Sequence, residues 1–264
     1  IVVSKAANVT LNTVGATDCT MGLLQKDIEG STDEQKVTIE ANGTGISGDF
    51  NITAQKDAEA AKNEFNISAG EFTSEVKQDY CKDAFVVKAG ADGKYTVARS
   101  EYVAKVGGTG YTALEAALAE LTADNHTLTL IDSSKWPAAT PVYWKAGDQS
   151  GYAATLKAAM EAAYAKNAGS ITIICKPNAT ITKSDPHIDV TDDITVYANG
   201  ADFGGNDLSI GTSVAPKNKT TTINIYDAKN LVVWGQPAGV RADVWNVNFT
   251  YCVRDAWNIL KYRG

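Results

Sequence analysis

The 264-residue sequence has little of what most enzymes and membrane proteins depend on. It holds only two histidines, His126 and His187, and neither lies between glycines. Its four cysteines, Cys19, Cys81, Cys175 and Cys252, form no C-x-x-C pair, which leaves zinc and thioredoxin-like redox sites without ligands at their usual intervals. Gly-x-Ser-x-Gly, His-Glu-x-x-His, Walker and dinucleotide-binding motifs are absent. No apolar run approaches the roughly 20 residues a bilayer-spanning helix needs, so membrane insertion is not expected. Positive charge is not in excess either. The net charge is -7, and an acidic chain is repelled by phosphate backbones, so nucleic acid is not an expected partner.

A signal peptide, a lipidation motif and a wall-sorting tail are missing as well. The chain opens on strand-like Ile1-Val2-Val3 and closes at Lys261-Tyr262-Arg263-Gly264, and the expectation is a monomeric fragment of a longer protein. Its 44% hydrophobic and 21% charged residues fit a folded chain and argue against disorder. Cys175 ends the run Ile171-Thr172-Ile173-Ile174 and reads as a small buried hydrophobe. The four thiols read as unpaired or partly buried, with one or two disulfides as the alternative.

What is present is strand after strand. Short stretches rich in Val, Ile and Thr end on Asn, Asp or Gly: Lys36–Glu40, Phe50–Thr53, Phe65–Ser68, Ile194–Tyr197, Thr222–Tyr226, Asn230–Trp234 and Val244–Phe249. Such close spacing predicts the coils of a β-solenoid, each turning on Gly or Asn and stacking its apolar face on the next. Gly107-Gly108 and Gly204-Gly205-Asn206-Asp207 read as corners. A β-sandwich would also give many short strands.

Two helices interrupt the strands. Leu114, Ala117, Leu118 and Leu121 make one apolar stripe, with Thr112 as the expected N-cap, and Leu156, Ala159, Met160, Ala163 and Tyr164 make the other. They head an internal repeat. Gly110-Tyr111 leads through Leu114–Leu118 to Thr127–Ile131, and Gly151-Tyr152 leads through Leu156–Met160 to Ile171–Ile174, with Tyr111 and Tyr152 in matching places. The reading is a helix laid across the open end of a solenoid to cover its core and free backbone groups. Two ordinary α/β connections would give the same pattern.

Two adjoining segments carry a family resemblance. The first is Ile67-Ser68-Ala69-Gly70-Glu71-Phe72-Thr73-Ser74-Glu75-Val76, then Tyr80–Val87, then Asp92-Gly93-Lys94-Tyr95-Thr96-Val97. The second runs from Tyr102-Val103-Ala104-Lys105-Val106-Gly107 through Gly110–Leu118. Over about residues 65–131 the chain resembles modules of large secreted surface proteins from gut Firmicutes and Bifidobacteria. Ala69 departs from the family's paired glycines, and Cys81–Phe85 departs from its usual "adgy" stretch.

In those proteins the second segment opens a pectin-lyase-like right-handed parallel β-helix. The resemblance therefore implies a mainly β fold of β-solenoid segments with short capping helices. Residues 1–100 would be the last coils and cap of one segment, with Asp92-Gly93 as a hairpin turn. Residues 101–264 would be the helix-capped start of the next. It further implies a bacterial cell-surface or extracellular location and a role in host interaction.

Pectin-lyase-like folds include enzymes, so carboxylates matter. Asp192-Asp193 is an adjacent pair, but neighbours on a strand face opposite sides and would not converge on one substrate atom; a solvated turn is the better reading. Asp185, His187 and Asp189 share one face if extended and are the metal candidates, with calcium the ion considered. Asp202, Asp207, Asp227, Asp243 and Asp255 with Arg241 and Arg254 could line a lyase-like groove, but nothing in their spacing demands it. No cofactor is expected.

Binding candidates are aromatic. Trp234, Trp245 and Trp257 cluster late in the chain and could stack on sugars or anchor a protein, or else fill the interior. Tyr143-Trp144, beside Pro137 and Pro141, is the best candidate for exposure, because prolines keep the loop extended. The expected function is a non-catalytic surface module binding host or microbial glycans or host secreted proteins such as immunoglobulin. A polysaccharide lyase or glycosidase fragment and a structural spacer are the alternatives.

Overall fold

In the computed structural model the described residues are 2–3, 7–11, 21–25, 37–41, 47–48, 50–54, 64–181, 187–189, 192–204, 207–211, 220–235, 244–252 and 260–262, with side chains described in 66–181, 192–204, 221–231 and 246–252. The chain divides into two compact units, Ile1–Glu101 and Tyr102–Gly264.

The first unit holds β1 (Val2–Val3), β2 (Ala7–Leu11), β3 (Met21–Gln25), β4 (Val37–Ala41), β5 (Ser47–Gly48), β6 (Phe50–Ala54), β7 (Glu64–Ile67), β8 (Glu71–Phe72), β9 (Phe85–Ala89) and β10 (Tyr95–Arg99). Strands β1-β3-β6 and β2-β4-β7 are two parallel sheets. The order β5-β8-β10-β9 is a mixed sheet whose last two pairings are antiparallel. Its hairpin turns at Asp92-Gly93: Asp92 Oδ1 accepts from the Lys94 amide at 3.2 Å, and Gly93 sits at φ 78°, where glycine pays no steric penalty.

The second unit holds β11 (Ala104–Val106), β12 (Thr109–Tyr111), α1 (Leu114–Ala119), β13 (Leu128–Leu130), β14 (Val142–Ala146), β15 (Gln149–Ala153), α2 (Leu156–Tyr164), β16 (Ser170–Cys175), β17 (His187–Asp189), β18 (Asp193–Tyr197), β19 (Asp207–Gly211), β20 (Thr220–Tyr226), β21 (Val232–Gly235), β22 (Val244–Thr250) and β23 (Leu260–Tyr262). The main sheet has the order β15-β14-β16-β18-β20-β22; its first two pairings are antiparallel and its last three parallel. Strands β17-β19-β21-β23 form a parallel sheet, and β12-β11-β13 an antiparallel one.

The chain is mainly β, but the expected right-handed parallel β-helix segments are corrected to mixed sheets of three to six strands. Antiparallel pairings at β8-β10-β9, β12-β11-β13 and β15-β14-β16 stand among the parallel ladders. The reason is connection length. Two-residue links such as 107–108 and 147–148 can join only antiparallel neighbours, whereas a parallel pair needs a crossover of a dozen residues or more.

The expected internal repeat is present in three dimensions with a different meaning. Each copy is a hairpin, a helix and a returning strand, and in each the first strand is central: β12-β11-β13 repeats as β15-β14-β16. A glycine on the second strand of each hairpin makes room for a ring on the first copy's Tyr102 or the second copy's Trp144. A Cβ at Gly110 would lie 2.5 Å from Tyr102, and one at Gly151 would lie 3.1 Å from the Trp144 indole. The helices pack as amphipathic parts of these units; they are not lids on an open end. Thr112 does not cap α1, whose N-cap position is Ala113 with no side-chain bond, whereas Thr155 Oγ1 caps α2 by accepting from the Ala158 amide at 3.1 Å.

The main sheet alternates faces strictly. Its inner face, with Val142, Trp144, Ile171, Ile173, Cys175, Ile194, Val196, Ile223 and Ile225, packs on Leu156, Ala159, Met160 and Ala163 of α2 and on Phe203 and Leu231. One row of its outer face, Tyr143, Ile174 and Tyr197, is buried with Leu114, Ala117 and Leu118 of α1 and with Trp136.

Candidate functional site

The register of the main sheet lays two different rows side by side on its outer face. The first reads Tyr152–Tyr143–Ile174–Tyr197–Tyr226–Thr250 across the six strands. Two residues away along each strand runs Ser150–Lys145–Thr172–Thr195–Asn224–Asn248. The first row is aromatic or aliphatic as far as Tyr226, and the small sheet with α1 covers much of it. The second row is polar and none of its members is buried. Asn248 Nδ2 donates to Asn224 Oδ1 at 2.9 Å, so the end of that row is held in place.

Where the covered row ends, rings emerge to the surface. Tyr197 stacks on Tyr226 with centroids 5.3 Å apart. Tyr226 stacks on His126 at 5.2 Å, and His126 on Tyr251 at 5.4 Å. Tyr251 is 76% exposed. The pile is pinned by Asp227, whose Oδ2 lies 2.7 Å from His126 Nδ1 and accepts from Thr127 Oγ1 at 3.1 Å. A carboxylate only accepts, so the short contact places a proton on Nδ1. The loop bearing His126 is fixed a second time. Leu128 N donates to buried Asn199 Oδ1 at 2.8 Å, and Asn199 Nδ2 donates to Cys175 O and Tyr197 O. Burial pushes the Tyr197 phenol above its ordinary range, with Tyr226 beside it adding to the shift.

The expected site residues fall elsewhere. Tyr143 and Trp144 are 7% and 8% exposed, so their expected exposure is corrected. They lie on strand β14, flanked by β15 and β16 in the main sheet, and the proline segment before it folds back instead of extending, with Trp136 Nε1 donating to Thr140 O at 2.8 Å. Tyr143 meets Tyr152 edge-on at 5.2 Å, and the Lys166 ammonium sits 5.8 Å from the Trp144 ring. Trp234 is in β21 opposite Ser209 and Lys261, and Trp245 is in β22 opposite Thr221, but their side chains, and all of Trp257, lie outside the described residues.

Of the metal candidates, His187 and Asp189 are the two ends of β17, while Asp185 lies outside the described residues. Among the described residues no three of His, Cys, Asp and Glu come together as a metal site. The pair Asp192-Asp193 splits as its alternation requires, with Asp192 buried and Asp193 exposed. Asp193 Oδ1 accepts from the Thr222 amide at 2.7 Å, so this carboxylate ties β18 to β20. The buried Asp192 corrects the reading of that pair as a solvated turn.

Asp202 and Asp227 of the imagined lyase groove have separate tasks. Asp202 accepts from Gly204 N and Asn230 Nδ2, which holds its carboxyl below the usual range. Asp227 holds His126. The side chain of Asp207 and all of Asp243, Asp255, Arg241 and Arg254 lie outside the described residues.

Sequence reasoning missed Tyr251, Tyr226, His126 and Asp227 as a group. The signal that existed was the shared place of Tyr197, Tyr226 and Thr250 as the last residues of their strands; His126 is 101 residues from Asp227 and carried none. No known protein family, no curated protein and no solved structure matches the chain.

Proposed function

We propose that the chain is a non-catalytic module of a secreted or cell-surface bacterial protein, and that it adheres to glycans or to host secreted proteins. The observation that carries this reading is the open polar row Ser150–Lys145–Thr172–Thr195–Asn224–Asn248 beside an emerging pile of rings. Hydroxyls and amides on a flat sheet face hydrogen-bond a neutral polar ligand without ionising, and rings at its edge supply apolar contact. Among the described residues, the carboxylates beside this surface are engaged in holding structure: Asp193 by the Thr222 amide and Asp227 by His126 and Thr127. Glycosidic hydrolysis would instead ask for two carboxyl groups free to face one bond.

The test is a glycan array together with capture from host mucosal secretions, using the whole chain. Retention of defined glycans or secreted proteins without their cleavage is the expected result. Failure to retain either, or release of new chain ends from a uronate polymer, would overturn the reading.

A further inference from the structure

We propose that Tyr251 is a stacking platform for a neutral pyranose ring and that His126 is its positioning residue; this rests on the glycan arm of the reading above. The backbone gives the first reason. The corners after β18, β20 and β22 are built on left-handed residues: Asn199 at φ 51°, Asp227 at φ 55° and Tyr251 at φ 53°. Asn and Asp enter that region readily because their short side chains bond locally; a tyrosine does so seldom. At Tyr251 a bulky ring occupies a corner where the backbone favours Asn, Asp or Gly, and burial of the ring does not offset the strain, since the residue is 76% exposed.

The second reason is the ring's setting. His126 stacks against Tyr251 at 5.4 Å and 26°, is itself backed by Tyr226 at 5.2 Å, and is anchored through Nδ1 to Asp227. An exposed ring held in one orientation has already lost the freedom that binding would otherwise cost, which favours a flat ligand stacking on it. The saccharide fits because one pyranose face is a sheet of C–H groups that matches the electron-rich face of a phenol, while its hydroxyls need donors and acceptors around the rim. Thr250 and, two residues back along β22 and so about 7 Å away, Asn248 supply them.

The third reason is charge. His126 and Asp227 satisfy one another, and the polar row reaching toward the platform is uncharged from Thr172 to Asn248, with its one ammonium at Lys145, on the far side of four strands. Among the described residues of that stretch an anionic sugar would find no cation, and beyond it would meet Asp227.

The test uses the whole chain on a printed array that carries neutral hexose and N-acetylhexosamine oligosaccharides beside sialylated and uronate ones. Retention of neutral members is expected. Tyr251→Ala should lower it at least tenfold with unchanged circular dichroism, and Tyr251→Trp should retain it. His126→Ala should weaken it severalfold, and isolating positioning from folding requires that its melting curve show the module still folded at the assay temperature. Equal binding by wild type and Tyr251→Ala would overturn the platform and leave the adhesive reading standing. Preference for sialylated or uronate members would overturn the neutral class. Loss of secreted-protein capture by Tyr251→Ala with glycan binding intact would overturn the sugar as occupant. A wild-type chain that binds no glycan at all would remove the glycan arm itself.

Discussion

Asn199 ties three segments together through one buried side chain. It is 5% exposed, sits at φ 51°, accepts from Leu128 N and donates to two carbonyls. Asn199→Ala would strand buried backbone groups on three segments, each costing about 1–3 kcal/mol when left unpaired. The expected outcome is a loss of about 3 kcal/mol or more in urea unfolding, with the loop bearing His126 the first to exchange its amide hydrogens. Cys175 makes a second prediction. It is fully buried, as its apolar run foretold, and burial pushes its thiol from 9.0 to about 12. The unfolded chain therefore gives up the proton first, so its contribution to stability is complete below about pH 9 and is lost as pH rises toward 12. Cys175→Ala should flatten the alkaline limb of a stability-versus-pH curve, and the native thiol should resist alkylation at pH 8. The sequence marked Cys175 rightly because an apolar run needs only its own pattern. It misled at Tyr143 and Trp144, whose burial depends on strands and helices the neighbouring prolines do not announce.

The two helices are copies that have been finished differently. α2 has a side-chain cap and buries Leu156, Ala159, Met160 and Ala163; α1 is six residues long, uncapped by any side chain, and buries Leu114, Ala117 and Leu118. Thr155→Ala should cost about 1 kcal/mol, the usual worth of a cap. Met160→Ala, at a fully buried position under the main sheet, should cost about 2–5 kcal/mol. Both are read by chemical denaturation, and the larger loss belongs to Met160. Gly151→Val should displace the Trp144 indole and appear as a change in near-ultraviolet circular dichroism. At this scale the sequence was informative about period and silent about direction. The matching Gly-Tyr pairs and apolar stripes of the repeat were legible because spacing is local. Whether β14 runs with or against β16 is decided by how the chain returns, and strand composition is the same either way.

At the scale of the molecule, the two hydrophobic clusters formed by described residues of the second unit draw all their members from 102–264. A chain of residues 102–264 should therefore keep a cooperative thermal transition and a β-rich far-ultraviolet spectrum; a loss of both would show that its cores need the first unit. The mainly β character was legible from the strand rhythm, and the parallel-helix expectation failed where hairpins were hidden inside that rhythm. The candidate site was the least legible part, since its rings meet through a register across three strands and a loop about a hundred residues earlier.

The repeated hairpin-helix-strand unit has a consequence for how such a chain can change over generations. In each copy the first strand is central, so the unit enters on that strand and leaves on the third, which flanks it. The second copy has joined the long sheet through β16, and its sequence is bound to the strands that follow. The first copy ends in a three-stranded sheet of its own and rests on the aromatic row. It is the copy with the shorter and less finished helix, and it carries His126 on the loop before its last strand. The first copy's apolar residues nevertheless share one cluster with Tyr143, Ile174 and Tyr197 of the long sheet, so a change in the loop that props Tyr251 has to be matched at Asn199 and Asp227, which hold it.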